Sequence, residues 1–157
     1  MKRNNRFLAT LIVCLSVGIF GITGFLNAAE SEMKTEEAKK SIMEGAKQIM
    51  AGHKMIMDIM AKKGVQDQDL KAADQKMTEG YGMVVKGESM MTGSTMAQGK
   101  KMMTDGAKMM LEAKLATSDA VEKHGMTTEC SSAFETCAIG EKKMDFGRTY
   151  FGYPPTK

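Results

Sequence analysis

Methionine is the residue through which this sequence offers chemistry. The chain has 18 methionines, whereas from residue 30 onward it has only three leucines, Leu70, Leu111 and Leu115. A thioether is a soft, neutral ligand suited to copper(I) or silver(I), and it needs neither deprotonation nor a reducing compartment to act as one. Met50, His53, Met57 and Met60 supply both helical chelating steps, i to i+3 and i to i+4. At 100° per residue they fall within about 80° of arc, one stripe on one helix. These four residues are the expected metal site. Packing offers a competing account, because methionine is a flexible side chain with good helix propensity that fills gaps in apolar cores. On an apolar helix flank, His53 would serve equally well as a hydrogen-bonded core residue.

The Met50-x-x-His53 and His53-x-x-x-Met57 spacings resemble the methionine/histidine motifs of periplasmic silver- and copper-binding proteins of the silver-resistance type. The resemblance covers this short stretch. It implies binding of copper(I) or silver(I) outside the cytoplasm, for storage, transfer or detoxification. Those proteins repeat such motifs with several histidines, while this chain has one histidine in such a motif.

Other chemistry is thinly represented. Cys130 and Cys137 are an even pair in what reads as an exported chain, so a disulfide is expected, with a bend between them because one straight helix would hold them too far apart. No C-x-x-C or C-x-x-C-H motif is present. His124, ahead of Gly125, reads as a helix C-terminal residue facing the negative end of the dipole. No nucleophile and base arrangement, phosphate-binding glycine loop or paired-histidine zinc motif occurs, so an enzyme is not expected. Alternatives to metal binding are an interaction or structural module with a methionine-rich apolar face, and a bundle holding haem noncovalently where seam glycines clear room for a porphyrin. Reversible oxidation of exposed methionines is a further use.

The elements that must position these residues follow from periodicity. Lys2, Arg3 and Arg6 precede an uncharged run from Phe7 to Leu26, followed by Ala28 and Ala29. Residues 1–29 therefore read as an export signal, or as an inner-membrane anchor if uncleaved. The chain has 22 Lys and Arg against 19 Asp and Glu, and three of the positive charges lie in that segment. The remainder is neutral, with no footprint for nucleic acid.

Ile42, Gly45, Ile49, Gly52, Ile56 and Ile59 recur at alternating intervals of 3 and 4. So do Ala73, Met77, Gly80, Val84, Gly87 and Met91, and again Met96, Gly99, Met103, Gly106, Met110 and Ala113. The pattern is a heptad seam on three helices. A glycine inside a helix costs about 1 kcal/mol relative to alanine, so two per seam imply close approach of a neighbouring backbone or side chain. Met43, Met50, Met57 and Met60 follow seam isoleucines, while Met83, Met90, Met102 and Met109 precede seam residues.

The expected fold is all-α: an antiparallel up-down-up bundle of three long helices within residues 30–126, then a short disulfide-linked helix and irregular aromatic tail in residues 127–157. The third helix is expected to start at a Thr95/Gln98 capping box, and Thr117-Ser118-Asp119 to interrupt it. The helices would be about 31–63, 70–92 and 95–124, with the short helix from Ser132 to Gly140. Expected partners are a soft metal ion, another exported protein or a second copy of the chain.

Overall fold

The computed structural model describes residues 6–155, with side chains from residue 31 onward. It consists of α1 (Arg6–Lys62), α2 (Gln68–Ser89), a 3-10 turn (Gly93–Thr95), α3 (Met96–Lys123) and α4 (Ser131–Tyr150), with no strand among the described residues. The chain divides after Glu36 into two compact units, and the helical bundle is the second, Glu37–Lys157. The export segment expected at residues 1–29 lies outside the residues whose side chains are described.

Each helix ends for a local reason. Gly64 (φ 72°) and Gly125 (φ 66°) take the left-handed conformation that closes α1 and α3. The next N–H in each case, from Val65 or Met126, reaches back 3.0 Å to the carbonyl of Met60 or Val121, and the apolar side chain that follows the glycine tucks under the helix end. Asp67 starts α2, its Oδ1 accepting from the backbone N–H of Asp69 at 2.8 Å and of Leu70 at 3.1 Å.

Three expectations about helix limits are corrected. Thr95 stands at the N-cap position of α3 as expected but makes no side-chain capping bond, its hydroxyl lying instead within hydrogen-bond reach of the carbonyls of Met90 (2.7 Å) and Thr92 (2.8 Å). Thr117-Ser118-Asp119 does not interrupt α3, because Thr117 returns its hydroxyl to the carbonyl of Ala113 at 2.8 Å within an unbroken helix. The fourth helix is not short, since α4 runs 20 residues through Gly140 and carries Phe146 and Tyr150 as helical residues, leaving only Phe151 and Tyr153 beyond it.

Gly140 does not stop α4 because it is a seam glycine like those of the other helices. A β-carbon on Gly45 would stand 2.5 Å from the carbonyl oxygen of Gly140, and one on Gly140 would stand 2.6 Å from that of Gly45. Gly80 and Gly106 oppose each other in the same reciprocal way, at 2.8 and 2.6 Å, as do Gly87 and Gly99, at 2.8 and 2.7 Å. Where the partner is alanine the approach is as close: Gly52 faces the carbonyl of Ala133 at 2.7 Å and Gly147 that of Ala38 at 2.5 Å. The pairings run in opposite directions along the chain, so α1 lies antiparallel to α4 and α2 antiparallel to α3. In several notches sits the side chain four residues beyond the opposing small residue: Met144 against Gly45, Met110 against Gly80, Met103 against Gly87 and Ile49 against Gly140.

Four helices thus form two tightly notched pairs. One apolar cluster joins them, with Ile42 and Ile49 from α1, Met77 and Val84 from α2, Met103 and Met110 from α3 and Met144 from α4. A second cluster, with Met60, Leu70, Val121 and Cys130, gathers the end of α1, the start of α2, the end of α3 and the residue before α4. The four directions therefore alternate. α2 and α4 bury little beyond their seams, whereas α3 also buries Thr104, Ala107 and Leu111 on a second flank.

The notches are testable one at a time. Gly82, in α2, would place a β-carbon in open space, so Gly82→Ala is expected to stabilise by about 0.5–1 kcal/mol through helix propensity. Gly45→Ala gains the same propensity but drives a methyl into the Gly140 backbone, and is expected to lose a net 1–3 kcal/mol or so, the usual cost of overpacking. Urea unfolding measures both, and a gain from both would refute the close approach.

Candidate functional site

The helical phase of α1 places Met50, His53, Met57 and Met60 on one flank, turned into the bundle. Their environments then diverge. Met50 is half-buried against the first apolar cluster; Met57 is half-buried against the second, and Met60 is wholly buried within it. His53 is buried between them.

Both nitrogens of His53 have partners. Nε2 lies 3.0 Å from Oδ1 of Asp74 on α2, and Nδ1 lies 3.2 Å from Oγ1 of Thr117 on α3. Thr117 Oγ1 is in turn 2.8 Å from the carbonyl of Ala113. These three contacts need three protons if each is to be a hydrogen bond. A neutral imidazole and the hydroxyl supply two; an imidazolium and the hydroxyl supply three. The hydrogen bonds thus favour the charged ring, while burial favours the neutral one. Burial is the larger effect and lowers the pKa of His53 below its ordinary value, with Asp74 pulling it back. A metal on His53 would have to displace Asp74 or Thr117, so the structure places this histidine as a tie between α1, α2 and α3.

Neither partner is evident from spacing alone. Asp74 follows the seam residue Ala73, just as Met50 follows Ile49, and that shared phase is the signal that turns it toward α1. Thr117 is hidden when Thr117-Ser118-Asp119 is read as a break.

The expected Cys130–Cys137 disulfide is not formed. Both residues are free, buried thiols. Cys130 precedes the first residue of α4 and Cys137 lies seven positions on, with no bend between them. That spacing gives a rise of roughly 10.5 Å, beyond the limit of about 7 Å between bridged Cα atoms. Cys137 Sγ lies 3.7 Å from the carbonyl of Ile49, and burial pushes its thiol up to about 11. Burial raises Cys130 as well. Neither is poised as a thiolate ligand or nucleophile.

His124 sits at the end of α3 as expected, and its Nε2 lies 2.8 Å from Oδ2 of Asp67. Lys123 Nζ reaches the same oxygen at 3.0 Å. With His124, Lys123 and the backbone N–H groups of Leu70 and Asp69 around it, Asp67 is held well below the ordinary carboxylate range. This buried carboxylate fastens the start of α2 to the end of α3. In the sequence it reads only as part of a polar stretch.

Among the described residues no three His, Cys, Asp or Glu side chains gather as a metal site. Seam glycines do not clear room for a porphyrin, because each notch is filled by the facing helix. Met83, Met90, Met102 and Met109 are half-exposed and belong to neither apolar cluster. Asp69, Ala72, Lys76, Glu112, Ala116 and Lys123 line a shallow groove over the α2/α3 pair.

The fold and its side chains define a glycine-notched bundle of four helices rich in accessible thioethers. No family model, curated protein or solved structure matches the chain.

The lowered pKa of His53 fixes the sign of a pH effect. Its neutral form contributes stability fully above the ordinary histidine value of about 6.5, and that contribution drains away as the pH falls toward the folded-state value. Asp67, also lowered, keeps its contribution until the pH falls below about 4, the ordinary carboxylate value. The unfolding free energy is therefore expected to fall between pH 7.5 and 5.5. His53→Gln should flatten that fall while costing on the order of 1–3 kcal/mol at pH 7.5, since it disturbs buried hydrogen bonds. An unchanged slope in the variant would show that His53 does not titrate with unfolding.

Proposed function

We propose that this chain acts outside the cytoplasm as a non-catalytic bundle that binds soft monovalent metal ions, copper(I) or silver(I), through methionine thioethers, for storage, transfer or detoxification. Export rests on the layout of residues 1–29, with basic residues, an apolar run and small residues in order. Metal choice rests on ligand softness, since thioethers favour copper(I)-like ions over hard cations.

The observation that carries the reading is a surplus of thioethers beyond what packing uses. Met43, Met60, Met77, Met91, Met103, Met110, Met126 and Met144 are buried. Met33, Met55, Met83, Met90, Met96, Met102 and Met109 keep exposed surface and enter neither apolar cluster, while Met50 and Met57 keep exposed surface but pack against the clusters. Charged or polar residues would serve an exposed helix flank better. A partly exposed thioether combines softness with access.

The test is competition. Protein recovered from the exported fraction and carrying Cys14→Ala/Cys130→Ala/Cys137→Ala, so that no thiolate contributes, is titrated with copper(I) against a chromophoric chelator. It is expected to withdraw metal from the chelator. A spectrum unchanged by the protein would remove this function, and metal-independent capture of another exported protein would point instead to an interaction module with a methionine-rich face.

A further inference from the structure

Met83 and Met90 on α2, and Met102 and Met109 on α3, share one flank of the α2/α3 seam. Met83 and Met90 each lie three residues after a seam glycine, Gly80 or Gly87, and Met102 and Met109 lie three after Gly99 and Gly106. Lys76 and Glu112 mark the same flank, joined across the two helices at 2.6 Å. The glycine crossings bring the helices so close that the Cβ of Met83 lies only 2.7 Å from where a β-carbon of Gly106 would stand.

Antiparallel direction then decides which sulfurs meet. Helical side chains lean toward the N-terminus of their own helix. With Gly80 opposite Gly106, Met83 and Met109 stand on either side of that crossing along the axis, and their side chains lean toward each other. Met90 and Met102 stand on either side of the Gly87/Gly99 crossing and do the same. Met83 and Met102, though nearly level, lean apart.

The fold contains its own control for whether packing requires methionine here. In the α1/α4 pair, built on the same notches, the corresponding positions are Gln48, Met55, Thr136 and Lys143. They too are half-buried or exposed. The same flank therefore accepts an amide, a hydroxyl and an ammonium, and four methionines on α2/α3 are not a demand of the architecture.

We propose that the outer edge of the α2/α3 pair holds two soft-metal sites, each a pair of thioethers over a glycine crossing: Met83 with Met109, and Met90 with Met102. A two-sulfur clamp suits a monovalent d10 ion, which accepts two soft donors in a near-linear arrangement. This assignment rests on the soft-metal function proposed for the chain and moves its ligands from the His53 stripe to a surface open to solvent.

Silver(I) is the probe, being diamagnetic and inert to redox. It is titrated into the full chain carrying Cys14→Ala/Cys130→Ala/Cys137→Ala and 13C-methyl methionine. Methyl resonances of Met83, Met90, Met102 and Met109 are expected to shift, saturating at two ions per chain. Met83→Leu should reduce the stoichiometry to one and silence Met109 while sparing Met90 and Met102. Met83→Leu/Met90→Leu should reduce it to zero, with unchanged resonances of buried Met77 and Met110 reporting an intact fold. Shifts centred on Met50 and Met57, or loss of the Met102 response in Met83→Leu, would overturn this assignment and leave the soft-metal function standing. No methyl shift at any silver concentration would overturn both.

Discussion

Backbone meeting backbone at the glycine crossings is the constraint on which the rest of this molecule depends. At Gly45/Gly140, Gly80/Gly106 and Gly87/Gly99 each glycine presents its missing β-carbon to the other's carbonyl oxygen. The direction that would hold the methyl holds a hydrogen instead, an arrangement in which weak C–H···O contacts recur between helices. Six residues in these three crossings forgo about 1 kcal/mol each of helix propensity relative to alanine. Recovery comes from contact: close axes bring the side chains beside each notch into van der Waals reach and let the facing residue fill it. Because the crossings are reciprocal and antiparallel, they set both the partner and the register of each helix.

The notch also explains much of the methionine. In each pair a large residue follows a small one by four positions, and it is the γ-carbon that lies in the opposite notch: that of Met144 by Gly45, Met110 by Gly80, Met103 by Gly87, and Cγ1 of Ile49 and Ile42 by Gly140 and Gly147. Such a site favours a γ-carbon with a single onward branch. Leucine divides there, and one of its methyls would be driven toward the facing backbone. Methionine continues as an unbranched chain that can bend away along the seam. The scarcity of leucine is therefore in part a steric consequence of glycine, and it accounts for seam methionines without invoking any ligand.

How far the sequence exposed this architecture depends on what kind of interaction each part uses. Periodicity revealed the seams of α1, α2 and α3 because six residues in each repeat one interval pattern. The seam of α4, through Ala133, Cys137, Gly140, Met144 and Gly147, has the same intervals, but the cysteine pair suggested a bend and Gly140 suggested a stop. A glycine ends a helix when its φ turns positive, as at Gly64 and Gly125; a seam glycine keeps helical φ, and only the partner helix distinguishes the two. His53 was legible as an inward residue, yet its partners Asp74 and Thr117 lie 21 and 64 residues away. Polar ties of that range are set by how helices assemble: the phase of Asp74 behind Ala73 gives its direction but not its partner.

The two notched pairs share a frame but differ in what they carry on it. In α1 the inward flank bears His53, whose hydrogen bonds reach α2 and α3, so a change at this residue would be felt by three helices at once. On the outer flank of α2/α3 the methionines enter neither apolar cluster, and although the Cβ of Met83 abuts the Gly106 crossing, the methionine residues there are half-exposed. A ligand that must be gained and released is better held where the scaffold does not depend on the holder. Rigid crossings fix the backbone that carries the thioethers, while rotation about Cα–Cβ and Cβ–Cγ would leave each sulfur free to close on an ion and to open again. On the proposed assignment, exchangeable chemistry on the outer edge and the histidine in the core would separate binding from stability, which the stripe on α1 would have forced into one residue.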